Sequence, residues 1–199
     1  MPRNKHIVNG YLLAGGKSSR MGADKGLLML NNKPVIQHII EQVRPVVKKT
    51  VIVSANPEYE RFGVEVIADR IMNIGPAGGI HAALNHSDTE KIFIISCDMP
   101  LATSDAIKFI IRHSANSQIT LPCYNERTEP LFGVYSKNCF PKWQELIDCG
   151  FTKLLDMITH FDFRKLRVDD NSLFNELLFT NINTKSDFEK LKYLFHHEN

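Results

Sequence analysis

The sequence predicts a three-layer α/β fold in which a mostly parallel sheet carries helices on both of its faces. Apolar runs alternate with helical patterns along the first half of the chain, as they do in βαβ units. The run Lys91–Ser96 is almost continuously apolar, which is typical of a strand buried on both faces. A glycine-rich turn follows the first apolar run, His6–Leu13, where open α/β sheets bind their ligands.

Seven segments are predicted to be strands, because each is an apolar run bounded by turn residues. Helical patterns separate the first four, and this alternation favours parallel pairing. The predicted strands are His6–Leu13, Thr50–Ser54, Val64–Ala68, Lys91–Ser96, Ile119–Pro122, Pro130–Ser136 and Arg164–Val168. The polar segment Pro122–Leu131 is predicted to be a long loop between two of them.

Six segments are predicted to be helices from the spacing of their apolar residues. The first begins with Pro34, which suits the first helical position. Ser104 is a candidate N-cap, and Thr184 with Asp187 has capping-box spacing before the last helix. The predicted helices are Pro34–Val47, Gly79–Asn85, Ser104–His113, Lys142–Asp148, Thr152–His160 and Lys185–His196.

The composition is that of an ordinary globular protein. Lys and Arg total 24 and Asp and Glu total 22, so the net charge of +2 gives no reason to expect a nucleic-acid or membrane partner. No apolar run approaches the ~20 residues that a membrane span needs. Asn9 and Gly10 interrupt the first apolar run, so we expect no signal peptide and a cytoplasmic location. Four cysteines without a C-x-x-C pair are expected to be buried and reduced: Cys97, Cys123, Cys139 and Cys149.

The most informative segment is the loop after the first predicted strand, LAGGKSSRMGADK over residues 13–25. Its paired glycines, Gly15 and Gly16, allow the backbone to approach a phosphate or a base closely and leave N–H groups free to donate. Lys17, Arg20 and Lys25 add positive charge nearby. The loop is therefore a predicted polyphosphate cradle, although the same composition also suits a solvated basic loop without a ligand.

Two familiar phosphate-binding loops are excluded by spacing. A Walker A loop requires glycine where Tyr11 stands. The dinucleotide fingerprint requires glycine where Lys17 or Ser18 stands. The segment therefore belongs to a different class of nucleotide-binding loop.

Two carboxylates end predicted strands at the same edge of the sheet as the glycine loop. Asp98 follows Lys91–Ser96, where Pro100 stops the strand, and a carboxylate beside phosphate oxygens suits Mg²⁺. Asp69 follows another strand and precedes the glycine-rich turn GPAGG at residues 75–79. Each carboxylate could equally accept backbone N–H groups in an ordinary turn. The convergence of three strand ends favours a nucleotide site.

Taken in order, these motifs resemble the molybdenum cofactor guanylyltransferase family, which is of the MobA nucleotidyltransferase type. The resemblance runs from Leu13 to Asp187 and so covers nearly the whole chain. Besides the loop 13–25 it includes Ser54-Ala55-Asn56, Asp69, Gly75-Pro76-Ala77-Gly78-Gly79, Cys97-Asp98-Met99-Pro100 and Asn181-Ile182-Asn183-Thr184. The first loop is a strong marker of nucleotidyltransferases, and the closing motif points to this particular family.

This resemblance implies a single domain, 1–199, with a three-layer Rossmann-like nucleotidyltransferase fold. Its nucleotide-binding part would span about 6–105 and its acceptor-binding part about 106–199. The implied reaction is transfer of GMP from GTP to molybdenum-molybdopterin, which yields pyrophosphate and the guanine dinucleotide cofactor. Mg²⁺ would be the cofactor. We expect a monomer that contacts molybdenum insertion and delivery proteins transiently.

The resemblance also implies residue roles. Arg20, Lys25 and Asp98 would be catalytic, with Lys25 on the triphosphate and Asp98 holding the metal. Asn181 and Asn183 would lie near the acceptor or the metal. The implied GTP-binding set is Leu13, Ala14, Gly15, Gly16, Lys25, Ser54, Asn56, Asp69, Gly78, Gly79 and Asp98.

Two departures from the family pattern bear on the choice of base. Ser54 stands where the family carries Asn, so an amide contact to guanine cannot come from this position, and Asn56 could supply it instead. The second departure is in the loop, where one residue fewer separates Met21 from Lys25 than in the family pattern.

Three alternatives stay open. They are a molybdopterin cytidylyltransferase, a nucleotidyltransferase for a sugar or alcohol phosphate, and a non-catalytic nucleotide-binding module. The Gly15-Gly16 pair favours GTP, because cytidylyl relatives more often carry Ala-Gly there. The joint presence of Arg20, Lys25 and Asp98 favours an enzyme over a mere binder.

Overall fold

A computed structural model describes residues 8–15, 24–69, 71, 74–114 and 116–197. The strands are β1 (Val8–Leu13), β2 (Met29–Leu30), β3 (Lys33–Pro34), β4 (Thr50–Val53), β5 (Glu65–Ile67), β6 (Lys91–Ser96), β7 (Ile119–Tyr124), β8 (Arg127–Thr128), β9 (Phe132–Ser136) and β10 (Phe163–Arg167). The helices are α1 (Val35–Val43), α2 (Pro76–His86), α3 (Ser104–Arg112), α4 (Phe140–Asp148), α5 (Leu154–Ile158) and α6 (Lys185–His197). Short 3-10 helices span Lys25–Leu27, Pro57–Phe62 and Lys137–Cys139.

One mixed sheet organises the molecule, in the order β10-β7-β9-β6-β1-β4-β5, with β8 paired to β7. The pairs β1–β4, β1–β6, β4–β5 and β7–β10 are parallel. β9 is antiparallel to both β6 and β7. The carboxyl ends of β1, β4, β5, β6, β7 and β10 therefore lie at one edge of the sheet, and β9 begins there.

The sheet is buried on both faces, which confirms the predicted three-layer arrangement. All six residues of β1 are buried, and its four apolar side chains are divided between two hydrophobic clusters. Leu12 belongs to the cluster that includes apolar residues of α1 and α3, whereas Tyr11 and Leu13 belong to the one that includes residues of α2, α4 and α5. Each fully buried large apolar side chain contributes roughly 1.5–3 kcal/mol, so both layers stabilise the same central strand.

Glycine permits the closest contact between a helix and the central strand. A Cβ atom at Gly10 would lie 2.6 Å from Cγ1 of Val43, which is closer than real Cβ atoms approach other atoms. The end of α1 can therefore pack directly on the backbone of β1. In the described part of the chain, the helices are too short or too polar to cross a bilayer.

The second half of the chain departs from the predicted pattern. The segment Pro122–Leu131 is not one loop, because β7 continues to Tyr124 and pairs back with β8. Asn125 and Glu126 make the tight turn with φ angles of 48° and 61°. Pro122 has no N–H to donate, but it does not end the strand. The pairs between β7 and β9 lie earlier, at Ile119 and Thr120, so no β9 partner needs that N–H.

Helix capping confirms one prediction and corrects another. Thr184 and Asp187 form the predicted capping box: Asp187 N–H donates to Thr184 Oγ1 at 3.1 Å and Thr184 N–H donates to Asp187 Oδ2 at 2.8 Å. Thr103, not Ser104, caps α3, since its hydroxyl accepts from Ala106 N–H at 3.3 Å. The Ser104 hydroxyl instead donates to the carbonyl of Gln42 at 2.8 Å.

Several boundaries also differ. α1 ends at Val43 rather than Val47, and α2 begins at Pro76 rather than Gly79. The β2–β3 hairpin was not predicted, although its turn residues Asn31 and Asn32 have the positive φ angles that Asn tolerates. Three cysteines are buried as predicted, but Cys149 is exposed.

Candidate functional site

The site begins where three central strands end side by side. Ala14 N–H donates to the carbonyl of Val53 at 3.0 Å, and Cys97 N–H donates to that of Leu13 at 3.0 Å. These bonds fix the ends of β1, β4 and β6 relative to each other. Gly15 follows at the exposed surface, where a Cβ atom would meet nothing within 4 Å. The predicted ligand residues Gly16 and Arg20 lie outside the described residues.

A buried hydroxyl and a carboxylate anchor the far end of the glycine loop. Asp24 accepts from Gly26 N–H at 3.1 Å, from Asn56 Nδ2 at 3.1 Å and from the Tyr59 hydroxyl. Burial, with the nearby Cys97 and Asp24, raises the pKa of Tyr59 well above its ordinary value, so the hydroxyl stays protonated and donates. Asp24 and Tyr59 thus fix the short helix that carries Lys25.

The amide of Asn56 takes part in this anchor. Its Nδ2 donates to Asp24, while its Oδ1 accepts from Glu58 N–H at 3.1 Å and caps the 3-10 helix Pro57–Phe62. Its backbone N–H donates to Ser54 Oγ at 3.1 Å. The sequence placed Asn56 and Ser54 among the guanosine contacts, and the structure shows them joining the end of β4 to the glycine loop.

Lys25, Asp98 and Asn183 meet although they are far apart in the sequence. Lys25 Nζ lies 3.3 Å from Asp98 Oδ2 and donates to Asn183 Oδ1 at 3.0 Å. Ile182 N–H donates to the carbonyl of Asp98 at 3.2 Å, which ties the closing motif to the end of β6. The Lys25 and Asp98 side chains are only 19% and 15% exposed, so the pair is partly screened from water. Three separate sequence motifs therefore form one polar cluster.

A second group forms around the start of α2. Asp69 accepts from Ile71 N–H at 2.9 Å, and burial raises the pKa of its carboxyl. A Cβ atom at Gly78 would lie 2.5 Å from Asp69 Oδ2 and 2.8 Å from the carbonyl of Ile71, so only glycine fits there. A Cβ atom at Gly79 would lie 3.2 Å from Leu13 Cδ2. Because Gly78 and Gly79 carry no side chains, α2 can pack against both Asp69 and the end of β1.

The donor set around Lys25 fits a hard divalent cation. Asp98 Oδ2 and Asn183 Oδ1 both approach the same ammonium group, so two oxygen ligands converge on one positive charge. Among the described residues no cluster of three or more His, Cys, Asp or Glu could hold a metal. Mg²⁺ is usually bound through one or two carboxylates, substrate phosphates and water, and Asp98 can supply the carboxylate.

A cleft of about 360 Å³ opens beside this cluster. Asn183 lines the cleft and also accepts from Lys25, so it connects the cleft lining to the cluster. The buried carboxylate of Glu129 lines it, and burial raises the pKa of that carboxyl. The cleft is lined by Tyr124, Asn125, Arg127, Glu129, Glu176, Phe179, Thr180, Asn181, Asn183 and Asp187.

The fold and the site define a nucleotide-binding α/β protein, because ligands of open α/β sheets bind at the carboxyl ends of the strands, where these motifs gather. Residues 10–162 match the family described as the MobA-like NTP transferase domain. The chain belongs to this family, and it is an enzyme of the nucleotidyltransferase class. This confirms the resemblance found in the sequence.

Relatives cover most of the chain. A probable molybdenum cofactor guanylyltransferase of Flavobacterium johnsoniae is 35% identical over 182 residues, which is 91% of this chain and 94% of that protein. The molybdenum cofactor guanylyltransferase of Vibrio parahaemolyticus is 35% identical over 72% of this chain and 76% of its own length. The structure of molybdopterin-guanine dinucleotide biosynthesis protein A from Archaeoglobus fulgidus shares the fold, with a TM-score of 0.82, 24% identity and coverage of 95% of this chain and 99% of that one.

The described parts of the predicted site form two groups. Lys25, Asp98 and Asn183 are in contact, and Asp69 and Leu13 lie against Gly78 and Gly79 of α2. Ser54 and Asn56 belong to neither group and join the anchor around Asp24. Sequence reasoning missed Tyr59 and Glu129. The only available signal for Glu129 was an acidic residue within a polar connection, which is typical of solvated loops.

Proposed function

We propose that this enzyme transfers GMP from GTP to molybdenum-molybdopterin and releases pyrophosphate. The observation that carries the proposal is the contact of Lys25 with both Asp98 and Asn183. This cluster contains Asp98, which follows β6, and Asn183, which lines the 360 Å³ cleft. A group transfer between two bound molecules needs such a charged junction, because the phosphates of both must meet there.

The nucleotide would bind at the ends of β1, β4 and β5. Backbone groups of residues 13–16 would hold guanine and ribose, and the start of α2 would face the nucleotide through Gly78 and Gly79. Ser54 and Asp69 would line the guanosine pocket. The close approach of α2 to Asp69 and Leu13 supports this assignment, since it holds the start of α2 against two residues of the predicted guanosine pocket.

Lys25, with Arg20, would offset the negative charge that grows on the leaving pyrophosphate. Arg20 could bind two phosphate oxygens at once, which a lysine cannot. Asp98, with the amide oxygen of Asn183, would hold Mg²⁺. When bound, Mg²⁺ supplies further neutralisation of phosphate charge and polarises the phosphoryl oxygens.

The acceptor phosphate would attack the α-phosphorus of GTP in line with the departing pyrophosphate. A phosphate monoester is already largely ionised near neutral pH, so no side chain has to remove a proton. The task of the protein is therefore to position both phosphates and neutralise them. Lys25 suits this task, because its ammonium is already held at the junction by two oxygen partners.

The acceptor would occupy the cleft lined by Asn181 and Asn183. This arrangement divides the chain into a nucleotide-binding part, about 6–105, and an acceptor-binding part, about 106–199. We further propose a monomer that works in the cytoplasm and meets molybdenum insertion and delivery proteins transiently.

The decisive experiment offers the purified enzyme Mg²⁺, molybdopterin charged with molybdate, and either GTP or CTP. We expect pyrophosphate and the guanine dinucleotide with GTP, and neither product with CTP. Product with CTP alone would refute the base assignment. GTP binding without any product would refute the proposed acceptor.

A further inference from the structure

We infer that Glu129 selects the acceptor by accepting two N–H groups from the 2-amino-4-oxo edge of its pterin ring. This inference rests on the proposed function, since it names the part of the acceptor that the cleft reads. It assigns the pterin to the inner wall of the cleft and leaves the acceptor phosphate at the Lys25 end.

Glu129 is a buried carboxylate with acceptor capacity to spare. It is 7% exposed, and it follows β8 in the hairpin that lines the cleft. Its carboxylate accepts the backbone N–H of Leu131 and lies 3.9 Å from Nη2 of Arg127, which is too far for a hydrogen bond. A carboxylate offers about four acceptor positions. The fold alone therefore leaves room for further N–H donors.

A residue of the same cleft lining, Asn181, holds a second buried acceptor. Oδ1 of Asn181 is shielded from solvent and has no hydrogen-bond partner among the described residues. Buried polar atoms are nearly always paired, so an unpaired acceptor on a residue that shares the cleft lining with Glu129 favours a ligand with N–H donors. Asn181 and Glu129 both line this cleft.

Two aromatic residues also line this cleft. The rings of Tyr124 and Phe179 pack with their centroids 5.6 Å apart, and both side chains line the cleft. Flat heteroaromatic ligands bind such surfaces through stacking or edge contacts. A pterin is flat, and one edge of it presents N3–H and the 2-amino group side by side, which matches the two oxygens of a carboxylate.

Charge orients the ligand within the cleft. A phosphate would be repelled by Glu129, by Glu176 and by Asp187, which line the cleft, whereas Lys25 beside Asn183 attracts it. The only cation of the cleft lining, in the described part of the chain, is Arg127, and its side chain is 71% exposed. The ring therefore belongs at Glu129 and the phosphate at the junction.

Guanine carries the same donor edge, so its position must be distinguished. Glu129 belongs to the β7–β9 connection, while Ser54 and Asp69 follow β4 and β5, with β6 and β1 lying between. Neighbouring strands are about 4.8 Å apart, so the two places are separated by roughly three strand spacings. A single guanine cannot occupy both.

The test uses two fluorescent probes, pterin and lumazine, titrated into the nucleotide-free enzyme. Lumazine carries an oxo group where pterin carries the 2-amino group, so it would place an acceptor against the carboxylate. We expect pterin to bind about tenfold more tightly than lumazine, as for hydrogen bonds to a charged group. Equal affinities, or no pterin binding up to its solubility, would overturn the inference.

The variant Glu129→Gln should reverse this preference. The new amide can donate to the oxo group of lumazine, so lumazine should gain affinity while pterin loses about tenfold. A misfolded protein cannot gain affinity, so the reversal separates selection from stability. An unchanged preference in this variant would overturn the inference.

The matched control is Glu126→Gln on the same hairpin. Glu126 is 78% exposed in its side chain and pairs with Arg167 at 2.9 Å, and it does not line this cleft. This variant should keep the native preference for pterin, and a loss equal to that of Glu129→Gln would refute a specific role of Glu129.

Adding GTP with Mg²⁺ completes the experiment. Pterin should stay bound, and its competitive displacement would show that guanine occupies this cleft instead. A probe preference that depends on Glu129, without transfer to molybdopterin, would refute only the proposed function. Transfer without that preference would refute only this inference.

Discussion

The two sides of the candidate site are built from different material. The proposed nucleotide side, at the ends of β1, β4 and β5, consists of backbone and close glycine contacts such as Gly78 against Asp69. The proposed acceptor side, along the β7–β8 hairpin and residues 176–187, consists of side chains that line an open cleft. Close backbone contacts tolerate almost no substitution, whereas one substitution in a cleft lined by side chains can change which ligand the cleft prefers. Lys25, Asp98 and Asn183 join the two sides.

The largest effect is expected at this junction, from Asp98→Ala. Activity should fall at least ~10²-fold, which corresponds to about 3 kcal/mol, because the carboxylate that positions Lys25 and would hold the metal is lost. Steady-state kinetics with GTP and molybdopterin measure this change. Asp105→Ala is the matched control, since Asp105 is exposed and pairs with Lys108 one helical turn away. Near-normal activity of Asp98→Ala would contradict the assignment.

Lys25→Ala should weaken the nucleotide side more than the acceptor side. Loss of one charged donor to phosphate is expected to lower kcat/KM for GTP by about 10- to 100-fold. The KM for molybdopterin should change less. Lys108→Ala is the control for loss of a lysine, because its ion pair is exposed. Unchanged kinetics with saturable GTP would rule out the phosphate role.

Gly78→Ala and Gly15→Ala should separate stability from nucleotide binding. The added methyl group at Gly78 would strike Asp69 and Ile71, so we expect a loss of about 1–3 kcal/mol in the free energy of unfolding. The methyl group at Gly15 meets nothing within 4 Å, so stability should hold while the KM for GTP rises. Denaturant unfolding and GTP titration test the pair. Equal destabilisation of both variants would contradict this contrast.

Asn183→Ala should act mainly on the acceptor. Its amide oxygen borders the cleft and accepts from Lys25, so the KM for molybdopterin should rise by about tenfold, the loss expected for one such hydrogen bond. GTP affinity should change less, as separate titrations of the two substrates would show. A loss that is equal for both substrates would indicate instead that the residue acts mainly through the metal or by holding the start of α6.

The smallest effect concerns stability and pH at Glu129. Burial raises the pKa of this carboxyl above its ordinary value of 4.5, so the folded state binds the proton more tightly than the unfolded state does. Its contribution to stability is present below the ordinary value and is lost as pH rises through the raised one. Glu129→Gln should therefore be more stable than the native enzyme at neutral pH, with the difference shrinking towards pH 4.5. Urea unfolding at several pH values measures it, and a difference that grows as pH falls would contradict the sign.

The proposed nucleotide side could be predicted from the sequence, because close contacts with the backbone require glycine and so produce short local motifs. Only glycine fits at Gly78, and just residues 14–24 separate β1 from Lys25 in the sequence. Both features therefore appear as compact motifs. The parallel strands were equally clear, since burial on both faces requires continuous apolar runs such as β6.

The acceptor side could not be predicted in the same way. Glu129 is an acidic residue in a polar segment, and only the pairing of β7 with β8 reveals that it is buried. The contact of Tyr124 with Phe179 joins parts of the chain that no local pattern connects. Likewise, the hydroxyl of Tyr59 gave no sign in the sequence that it would reach Asp24.

The orientation of β9 allows the proposed acceptor side to change independently of the proposed nucleotide side. Because β9 runs against β6 and β7, the chain leaves β7 and enters β9 at the same edge of the sheet. A parallel strand would require a crossover helix at this point, whereas a hairpin can change its length without moving any helix. Residues 125–131 can therefore be exchanged between members of the family. Such grafts would change the acceptor specificity and leave the proposed nucleotide-binding site unchanged.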